Sequence, residues 1–293
     1  MKLADGIYDR RQVPRDEYDR LARLNWSHTK HLGRSGEHFR YHLMQPVCDT
    51  DPMRLGRVTS LATFEPERFR AEVAVYEGKV RRGKEWEAFR DQFSDSEIVT
   101  KDQHEAALAI GQKVRADGEA RKWLTGGKGE QTVLWTYRAP AAGELPGYSI
   151  ECKSRLDFVK TDAIVDLKTT ANASPGAFGK QCWNLEYHAQ AAFYVDAVKA
   201  VTGVELPYVL VAVEVAVPHV VQVYTVPQEI LELGRERYRN LLATWRVYDA
   251  ESRWPGYAEG PLALTLPKWA VPFEDDAADD LGLTFGGLPA IGF

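Results

Sequence analysis

Two runs rich in β-branched and aromatic residues, residues 148–159 and 163–169, are separated by a very short polar link. Such a pair predicts an antiparallel hairpin, because so short a link can only reverse the chain between neighbouring strands. A tight turn at residues 161–162 places Asp157 directly opposite Asp166 and aligns the apolar neighbours of the two acids with each other. The sequence therefore predicts two carboxylates that face each other within a β-sheet.

The second of these acids belongs to an acid-x-Lys pattern, which is uninformative by itself. The chain contains the pattern three times, at Glu77/Lys79, Glu151/Lys153 and Asp166/Lys168. Side chains alternate between the two faces of a strand, so Asp166 and Lys168 share one face. Val165 and Leu167 share the other face. The face with Asp166 and Lys168 is therefore predicted to carry the reactive groups, and the face with Val165 and Leu167 to pack in the core.

Facing carboxylates need a compensating positive charge. With Cβ atoms roughly 5 Å apart they repel each other and lower the stability of the sheet. Mg²⁺ takes oxygen ligands at about 2.0–2.1 Å, usually one or two carboxylates together with waters and phosphate oxygens. We therefore expect Asp157 and Asp166 to bind Mg²⁺. Lys168 would then activate or orient a water molecule, or neutralise charge on a reacting phosphate.

The order of predicted elements indicates the fold class. Residues 1–125 are predicted to be mainly helical, with a capping box at Thr100 and Gln103 that opens a helix reaching Trp123, and a short strand at residues 69–76. Strands are predicted at residues 130–137, 148–159, 163–169, 208–217 and 220–226, and helices at residues 174–200 and from Pro227 onward. This order predicts an α/β fold with a mixed central β-sheet flanked by helices and a helical N-terminal region.

Composition excludes several classes of protein. The longest apolar run, residues 208–217, is far shorter than the roughly 20 residues that span a bilayer, and the N-terminus lacks a signal-peptide core, so we expect a soluble cytoplasmic protein. Three cysteines cannot supply the four thiolates of an iron–sulfur cluster. The net charge is −5, but five of the 42 acids lie in the last 20 residues and the remaining 37 balance 37 lysines and arginines. A local basic groove for a polyanion is therefore compatible with the composition.

Three segments carry a resemblance to a known family. Residues 152–159 (CKSRLDFV) and 164–170 (IVDLKTT) resemble the core of the PD-(D/E)XK nucleases. They are most similar to the RecE-type, exodeoxyribonuclease VIII-like exonucleases of phage recombination, within the RecB-like group. Residues 187–194 (YHAQAAFY) resemble the Gln-x-x-x-Tyr helix of that group. Weaker likenesses extend the resemblance over roughly residues 25–257; they lie at residues 27–32, 55–57 and 64–69.

The resemblance implies a division of the chain. Residues 126–257 would form a restriction-endonuclease-like catalytic core, and residues 1–125 the mainly helical N-terminal part of the same nuclease domain. Residues 258–273 would be a C-terminal extension, followed by the acidic tail at residues 274–293.

The resemblance also implies a role for each candidate residue. The implied ligands of Mg²⁺, or of a substituting Mn²⁺, are Asp157, Asp166, Glu130 and the backbone carbonyl of Leu167. Lys168 would complete the catalytic set by assisting the attacking water. The candidates for positioning DNA are Gln190, Tyr194, Arg155, Lys30 and Arg34. Gln190 and Tyr194 are four residues apart, which places them on one face of a helix.

The implied function is Mg²⁺-dependent exonucleolytic hydrolysis of linear double-stranded DNA, 5′ to 3′, in phage-type homologous recombination. The resemblance further implies a homo-oligomer in the cytoplasm of a bacterial or phage-infected cell. An endonuclease or another RecB-like nuclease is one alternative. A catalytically inactive DNA-binding or assembly module is another, favoured by Ser60 where relatives often carry a metal-binding histidine. Ser60 also leaves the number of metal ions open.

Two further features have alternative interpretations. The histidines His28, His31, His38 and His42 have helical spacing, but no nearby cysteine completes a tetrahedral zinc site. Their basic neighbours indicate either a solvated helix face or contacts to phosphate. The tail at residues 274–293 combines five acids with apolar residues. It is either disordered or a docking peptide for a single-strand annealing protein or a neighbouring subunit.

Overall fold

The structure, a computed structural model, describes residues 3–45, 49–78, 80–141 and 146–267. The chain divides into two compact units, Met1–Tyr257 and Ala258–Phe293. The described part of the second unit, residues 258–267, has neither helix nor strand. The acidic tail, and with it the predicted docking peptide, lies outside the described residues.

The described residues form eight strands and ten α-helices. The strands are β1 (Gly6–Tyr8), β2 (Val73–Val75), β3 (Glu97–Val99), β4 (Gly127–Ala139), β5 (Tyr148–Lys160), β6 (Ile164–Thr170), β7 (Tyr208–Glu214) and β8 (Val221–Thr225). The helices are α1 (Arg15–Arg20), α2 (Trp26–Thr29), α3 (Gly36–Met44), α4 (Asp51–Phe64), α5 (Pro66–Glu72), α6 (Lys84–Gln92), α7 (Lys101–Ala116), α8 (Pro175–Asn184), α9 (Tyr187–Thr202) and α10 (Gln228–Ala250).

Six of the strands form one mixed sheet in the order β1-β4-β5-β6-β7-β8. Within it β6 and β7 are parallel, and the other neighbours are antiparallel. The strands β2 and β3 form a separate parallel pair. The α/β class with a mixed central sheet, predicted from the sequence, is confirmed. No helix of the described ranges has both the length and the apolar character needed to cross a bilayer.

Helices cover both faces of the central strands. Val165, Leu167 and the valines of β7 pack with Ile110 and Val114 of α7. On the opposite face, Ile164 and Leu210 pack with the alanine-rich side of α9, which in turn packs on α10. Burial on both faces explains why β7 reads as a nearly continuous apolar run.

The N-terminal region is less purely helical than predicted. Strand β1 pairs with β4 and forms one edge of the central sheet, although three residues give too short a pattern to be recognised. The predicted strand at residues 69–76 is wrong except at Val73–Val75, because Pro66 opens α5 at its first turn.

Two predicted helices end earlier than expected. The capping box at Thr100 and Gln103 is present and opens α7, but the helix ends at Ala116, and Trp123 lies in a separate 3₁₀ turn. The helix predicted at residues 174–200 is two helices, because Glu186 adopts a left-handed backbone with φ 56°. This break directs α9 across the site described next.

Candidate active site

Strands β5 and β6 pair only near their shared turn. Phe158 pairs with Val165 and Val159 with Ile164, which confirms the register predicted from the sequence. Beyond Phe158 the two strands separate, while β5 continues to pair with β4 and β6 with β7. We call this opening the β5–β6 fork; Asp157 lies on one arm and Asp166 on the other.

Another part of the chain occupies the free side of β5 beyond the fork. The N–H of Leu24 donates to the carbonyl of Glu151 at 3.0 Å, and the N–H of Lys153 donates to the carbonyl of Leu24 at 2.7 Å. The buried Lys153 ammonium donates to the carbonyls of Tyr18 and Leu21, at 2.6 and 2.9 Å. The Glu151/Lys153 pattern therefore serves to hold the chain after α1 against β5.

The two aspartates lie side by side, with Asp166 buried and Asp157 half-buried. The N–H of Leu167 donates to Oδ2 of Asp157 at 3.2 Å, which ties one arm of the fork to the other. Burial raises the pKa of Asp157 well above its usual range, and the nearby charge of Asp166 raises it further, although Lys168 acts in the opposite direction. The site thus holds like charges that it compensates only in part.

One carboxylate oxygen of Asp166 accepts no hydrogen bond of ordinary geometry. The residue is 3% exposed, and this oxygen, Oδ2, lies 2.6 Å from Nζ of Lys168 in an ion pair. A buried carboxylate oxygen left in this state is costly unless a further positive partner reaches it.

Lys168 is held on three sides. Its ammonium contacts Asp166, donates to Oε1 of Gln190 at 2.9 Å, and lies 4.6 Å from the centre of the Tyr187 ring. Burial lowers the pKa of Lys168, but the charges of Asp166 and Asp157 outweigh it and raise the pKa above its usual value. Lys168 is therefore charged at neutral pH.

Gln190 and Tyr194 share one face of α9, as their spacing predicts. Nε2 of Gln190 donates to the hydroxyl of Tyr194 at 3.2 Å, so the amide links this tyrosine to Lys168. Tyr194 also lines the large cavity described below. Gln190 contacts Lys168 directly, whereas Tyr194 contacts Gln190, and helical periodicity alone predicts neither contact.

The backbone of β6 directs a carbonyl into the fork. The N–H of Ile164 donates to the carbonyl of Pro207, and the N–H of Val215 donates to the carbonyl of Thr170. The backbone N–H and carbonyl groups of even-numbered residues of β6 therefore point toward β7. Those of odd-numbered residues point toward β5. Both the N–H and the carbonyl of Leu167 accordingly point toward Asp157.

The donor set of the fork suits a hard divalent cation. Asp157, Oδ2 of Asp166 and the carbonyl of Leu167 are all oxygen donors, the type that Mg²⁺ and Mn²⁺ prefer. Among the described residues no group of three His, Cys, Asp or Glu side chains could enclose a metal ion. The fork therefore offers two carboxylates and leaves other coordination positions to water and phosphate.

Glu130 is placed differently from its prediction. Its neighbours Gly129 and Gln131 pair with Phe158 and Leu156, so Glu130 on β4 lies opposite Asp157 on β5, with a left-handed φ of 44°. Its carboxylate is bound by Arg68 and lies 3.7 Å from Arg155. Burial raises the pKa of Glu130, but Arg155 and Arg68 outweigh this and lower it.

The guanidinium of Arg68 thus holds Glu130 within an ion-pair cluster. Arg68 also contacts Glu65 at 2.6 Å and Glu72 at 2.7 Å. The structure does not bring Glu130 together with Asp157 and Asp166 as a third metal ligand. The sequence gives no signal for this cluster, since Arg68 lies 62 positions before Glu130.

A cavity of about 860 Å³ opens beside the fork. Asp157, Glu130 and Ser60 contribute to its wall. Its lysine and arginine residues are Arg15, Lys30, Arg57 and Arg155. Of the predicted DNA contacts, Lys30 and Arg155 therefore line the cavity, whereas Arg34 does not and instead donates to the Tyr257 hydroxyl at 2.9 Å. The combination of arginine, lysine and a carboxylate pair suits a phosphate chain that meets a metal ion.

His31 and His42 form a stacked pair in the wall of this cavity, with ring centroids 3.6 Å apart. Burial, followed by the charge of His42, lowers the pKa of His31 to about 4. His31 is therefore neutral at neutral pH. Helical spacing alone does not predict this stacking, because His31 lies in a 3₁₀ turn and His42 in α3.

We expect Asp157→Asn to stabilise the metal-free protein at neutral pH. Because the folded pKa of Asp157 is raised, the stability it contributes is fully present below its ordinary value of 3.8 and is lost as the pH rises through the folded value. Asparagine carries no charge and therefore avoids this loss of stability. Thermal unfolding in EDTA at a series of pH values should give Asp157→Asn a midpoint temperature several degrees above that of wild type near pH 8. The difference should shrink toward pH 4.

Asp162→Asn is the matched control, since Asp162 is an exposed acid on the same hairpin turn. A lower midpoint for Asp157→Asn at pH 8, or a gain independent of pH, would contradict repulsion within the fork. Mg²⁺ should raise the midpoint of wild type more than that of Asp157→Asn.

Comparison with known proteins agrees with this geometry. A family model described as a PDDEXK-like domain of unknown function (DUF3799) matches residues 26–263. The crystal structure of a proposed exonuclease from Eubacterium rectale superimposes with a TM-score of 0.59 and 15% identity, covering 90% of this chain and 97% of that chain. At this identity the likeness concerns the fold.

A second solved structure, that of SSO0001, covers 63% of this chain and 74% of its own with 14% identity, and its TM-score of 0.27 is too low to support a conclusion. No curated protein sequence matches the chain. The family model covers most of the chain, including the fork and the cavity beside it. The chain therefore belongs to the PDDEXK-like domain family and has the fold of PDDEXK-like nucleases.

Proposed function

We propose that this protein is a Mg²⁺-dependent exonuclease that hydrolyses linear double-stranded DNA from an end, 5′ to 3′, in phage-type recombination. The observation that carries the proposal is the β5–β6 fork, which brings Asp157, Asp166 and Lys168 together beside a cavity whose wall includes four lysine and arginine residues as well as four acids. Membership of a PDDEXK-like family supports phosphodiester hydrolysis. The naming of the Eubacterium rectale protein as an exonuclease and the resemblance to RecE-type enzymes support attack from a DNA end.

The residues of the fork divide the chemical work. When bound, Mg²⁺ supplies a Lewis acid that lowers the pKa of water and stabilises charge on the phosphate. Asp157 and Asp166 would hold it. The charges of Asp166 and Asp157 raise the pKa of Lys168. Its ammonium would orient water and stabilise the negative charge that develops on the phosphate. Gln190 and Tyr187 keep that ammonium in place.

The cavity provides the contacts to the DNA backbone. Each phosphate neutralised by a lysine or arginine releases counterions. For each such contact, the logarithm of the affinity falls by about 0.9 for every tenfold increase in salt concentration. We expect Lys30→Gln to reduce the slope of log affinity against log salt by about 0.9, measured by fluorescence anisotropy in EDTA. Arg34→Gln is the control, because Arg34 lies outside the cavity. Equal slopes for the two variants would contradict a DNA path through the cavity.

Plasmid substrates test the proposed reaction. Linear, nicked and covalently closed forms of one plasmid, incubated with Mg²⁺ or EDTA, should show degradation of the linear form alone and only with Mg²⁺. Linear DNA blocked at its 5′ or 3′ ends reports the polarity, and a 5′ block should stop the reaction. Cutting of closed circles would instead identify an endonuclease. Binding without cleavage in Mg²⁺ or Mn²⁺ would identify an inactive DNA-binding module.

Assembly belongs to the same proposal. We propose a homo-oligomer that engages DNA ends, with the tail at residues 274–293 as a docking segment for a single-strand annealing protein. The resemblance to RecE-type exonucleases supports the oligomer. The combination of five acids with a following apolar segment in the tail supports the partner.

A further inference from the structure

Trp183 is unusual among the tryptophans of the described residues because it is exposed. Its side chain is 65% accessible, whereas the other described tryptophans are buried or half-buried. The ring stacks on His188 with a centroid separation of 5.2 Å and an angle of only 9° between the planes. The result is a flat, two-ring stack with one tryptophan face open to solvent.

Packing within the protein does not explain this side chain. The inner side of α8 is anchored by Phe178, which stacks on Tyr224 at 5.1 Å, and by Gln181, which accepts a hydrogen bond from Oγ1 of Thr170 at 2.6 Å. Trp183 lies on the outer side with the exposed Lys180. The fold is therefore secured without the indole ring.

The stack lies close to the fork. Thr170 ends β6 two residues after Lys168, so the anchor at Gln181 fixes α8 next to that lysine. On the other side of the short turn, Tyr187 contacts Lys168 and immediately precedes His188. Burial lowers the pKa of Lys30 in the cavity wall, and Glu186 of the α8–α9 turn and Lys168 are near enough for their charges to act on it.

We propose that Trp183 and His188 form a stacking platform for an unpaired nucleobase of the DNA strand that passes the fork. The proposal rests on the proposed nuclease function, since that function places DNA at Lys168. Every base has a flat π-face, so the exposed face of Trp183 can stack on any base, whatever the DNA sequence. Bases inside a duplex are already stacked on both faces, so the platform selects a strand that has been separated at the site.

The surroundings favour a nucleobase over a protein partner. Lys180, one helical turn before Trp183, and Asn184, which follows it, are both exposed, and Leu185 is the other exposed apolar residue of the turn. This patch is far smaller than the hydrophobic centre of a stable protein interface. A positive charge beside an aromatic ring is instead the combination that binds a phosphate and its base together.

Binding of a 12-nucleotide single strand in EDTA tests the platform. Trp183→Ala and Trp183→Leu should raise the Kd about tenfold or more, because leucine restores apolar volume without a flat ring. Trp183→Phe should stay within about threefold of wild type. An oligonucleotide of the same length with abasic sites should bind wild type and Trp183→Ala equally. Val247→Ala, an exposed apolar residue of α10, is the control and should match wild type on both oligonucleotides.

Several results would overturn the platform. They are an unchanged Kd for Trp183→Ala on the base-containing strand, an equal loss on the abasic strand, and full rescue by leucine. A Trp183→Ala protein that changes its oligomeric mass but not its Kd would show a protein interface instead.

Cleavage of linear DNA by the same wild-type preparation separates the two proposals. Cleavage with no effect of Trp183→Ala on binding refutes the platform and leaves the nuclease. Trp183-dependent binding without any cleavage refutes the nuclease and leaves the platform.

Discussion

We expect Asp166→Asn to lower the rate of DNA cleavage by at least about 10³-fold. Asp166 supplies one of the two carboxylates of the fork, and its Oδ2 is the buried oxygen without an ordinary hydrogen-bond partner. Asparagine keeps the shape of the side chain but removes the negative charge that a divalent cation requires. Single-turnover cleavage of end-labelled linear DNA at saturating Mg²⁺ measures the effect without interference from product release.

Binding of DNA should survive this substitution, because loss of a negative charge beside a phosphate does not weaken the contact. Asp162→Asn removes an exposed acid from the same hairpin and should cleave at the wild-type rate. Cleavage by Asp166→Asn within tenfold of wild type would show that the fork is not the metal site.

We expect Lys168→Ala to cut turnover by about 10²–10³-fold while leaving DNA affinity largely intact, since removing one donor that stabilises transition-state charge typically has this effect. The ammonium lies 2.6 Å from Asp166, next to the proposed metal position, and Lys168 is not among the residues that line the cavity. The measurements are the rate constant of single-turnover cleavage and the Kd for DNA in EDTA.

Lys101→Ala, which removes an exposed lysine at the start of α7, is the control and should leave both quantities unchanged. A fall in affinity that matches the fall in rate would show that Lys168 binds the ground state of the substrate. Lys168→Arg should restore part of the rate, because a guanidinium keeps the charge but not the compact geometry.

The hairpin could be predicted from the sequence because its determinants are local. The turn position and the alternation of side chains fix the register, and the pairing of Phe158 with Val165 agrees with it. The same alternation assigns Asp166 and Lys168 to the face covered by α9. The choice among three acid-x-Lys patterns follows from this geometry, and Lys153 is used to bind backbone carbonyls.

The parts that escaped prediction depend on contacts distant in sequence or on single backbone angles. The pairing of Glu130 with Arg68 joins β4 to α5, and no periodicity relates the two. The break between α8 and α9 depends on the left-handed backbone of Glu186, a residue without special preference for that conformation. The cavity wall combines short helices from the first 60 residues with β4 and β5, so its shape exists only in the folded chain.

The account depends most on a divalent cation held between Asp157 and Asp166. Anomalous diffraction from crystals soaked with Mn²⁺ tests this directly. We predict a peak about 2.1 Å from a carboxylate oxygen of each aspartate, and no peak at that position in Asp166→Asn crystals. A peak that lies elsewhere, or one at the fork that persists in Asp166→Asn, would contradict the central claim.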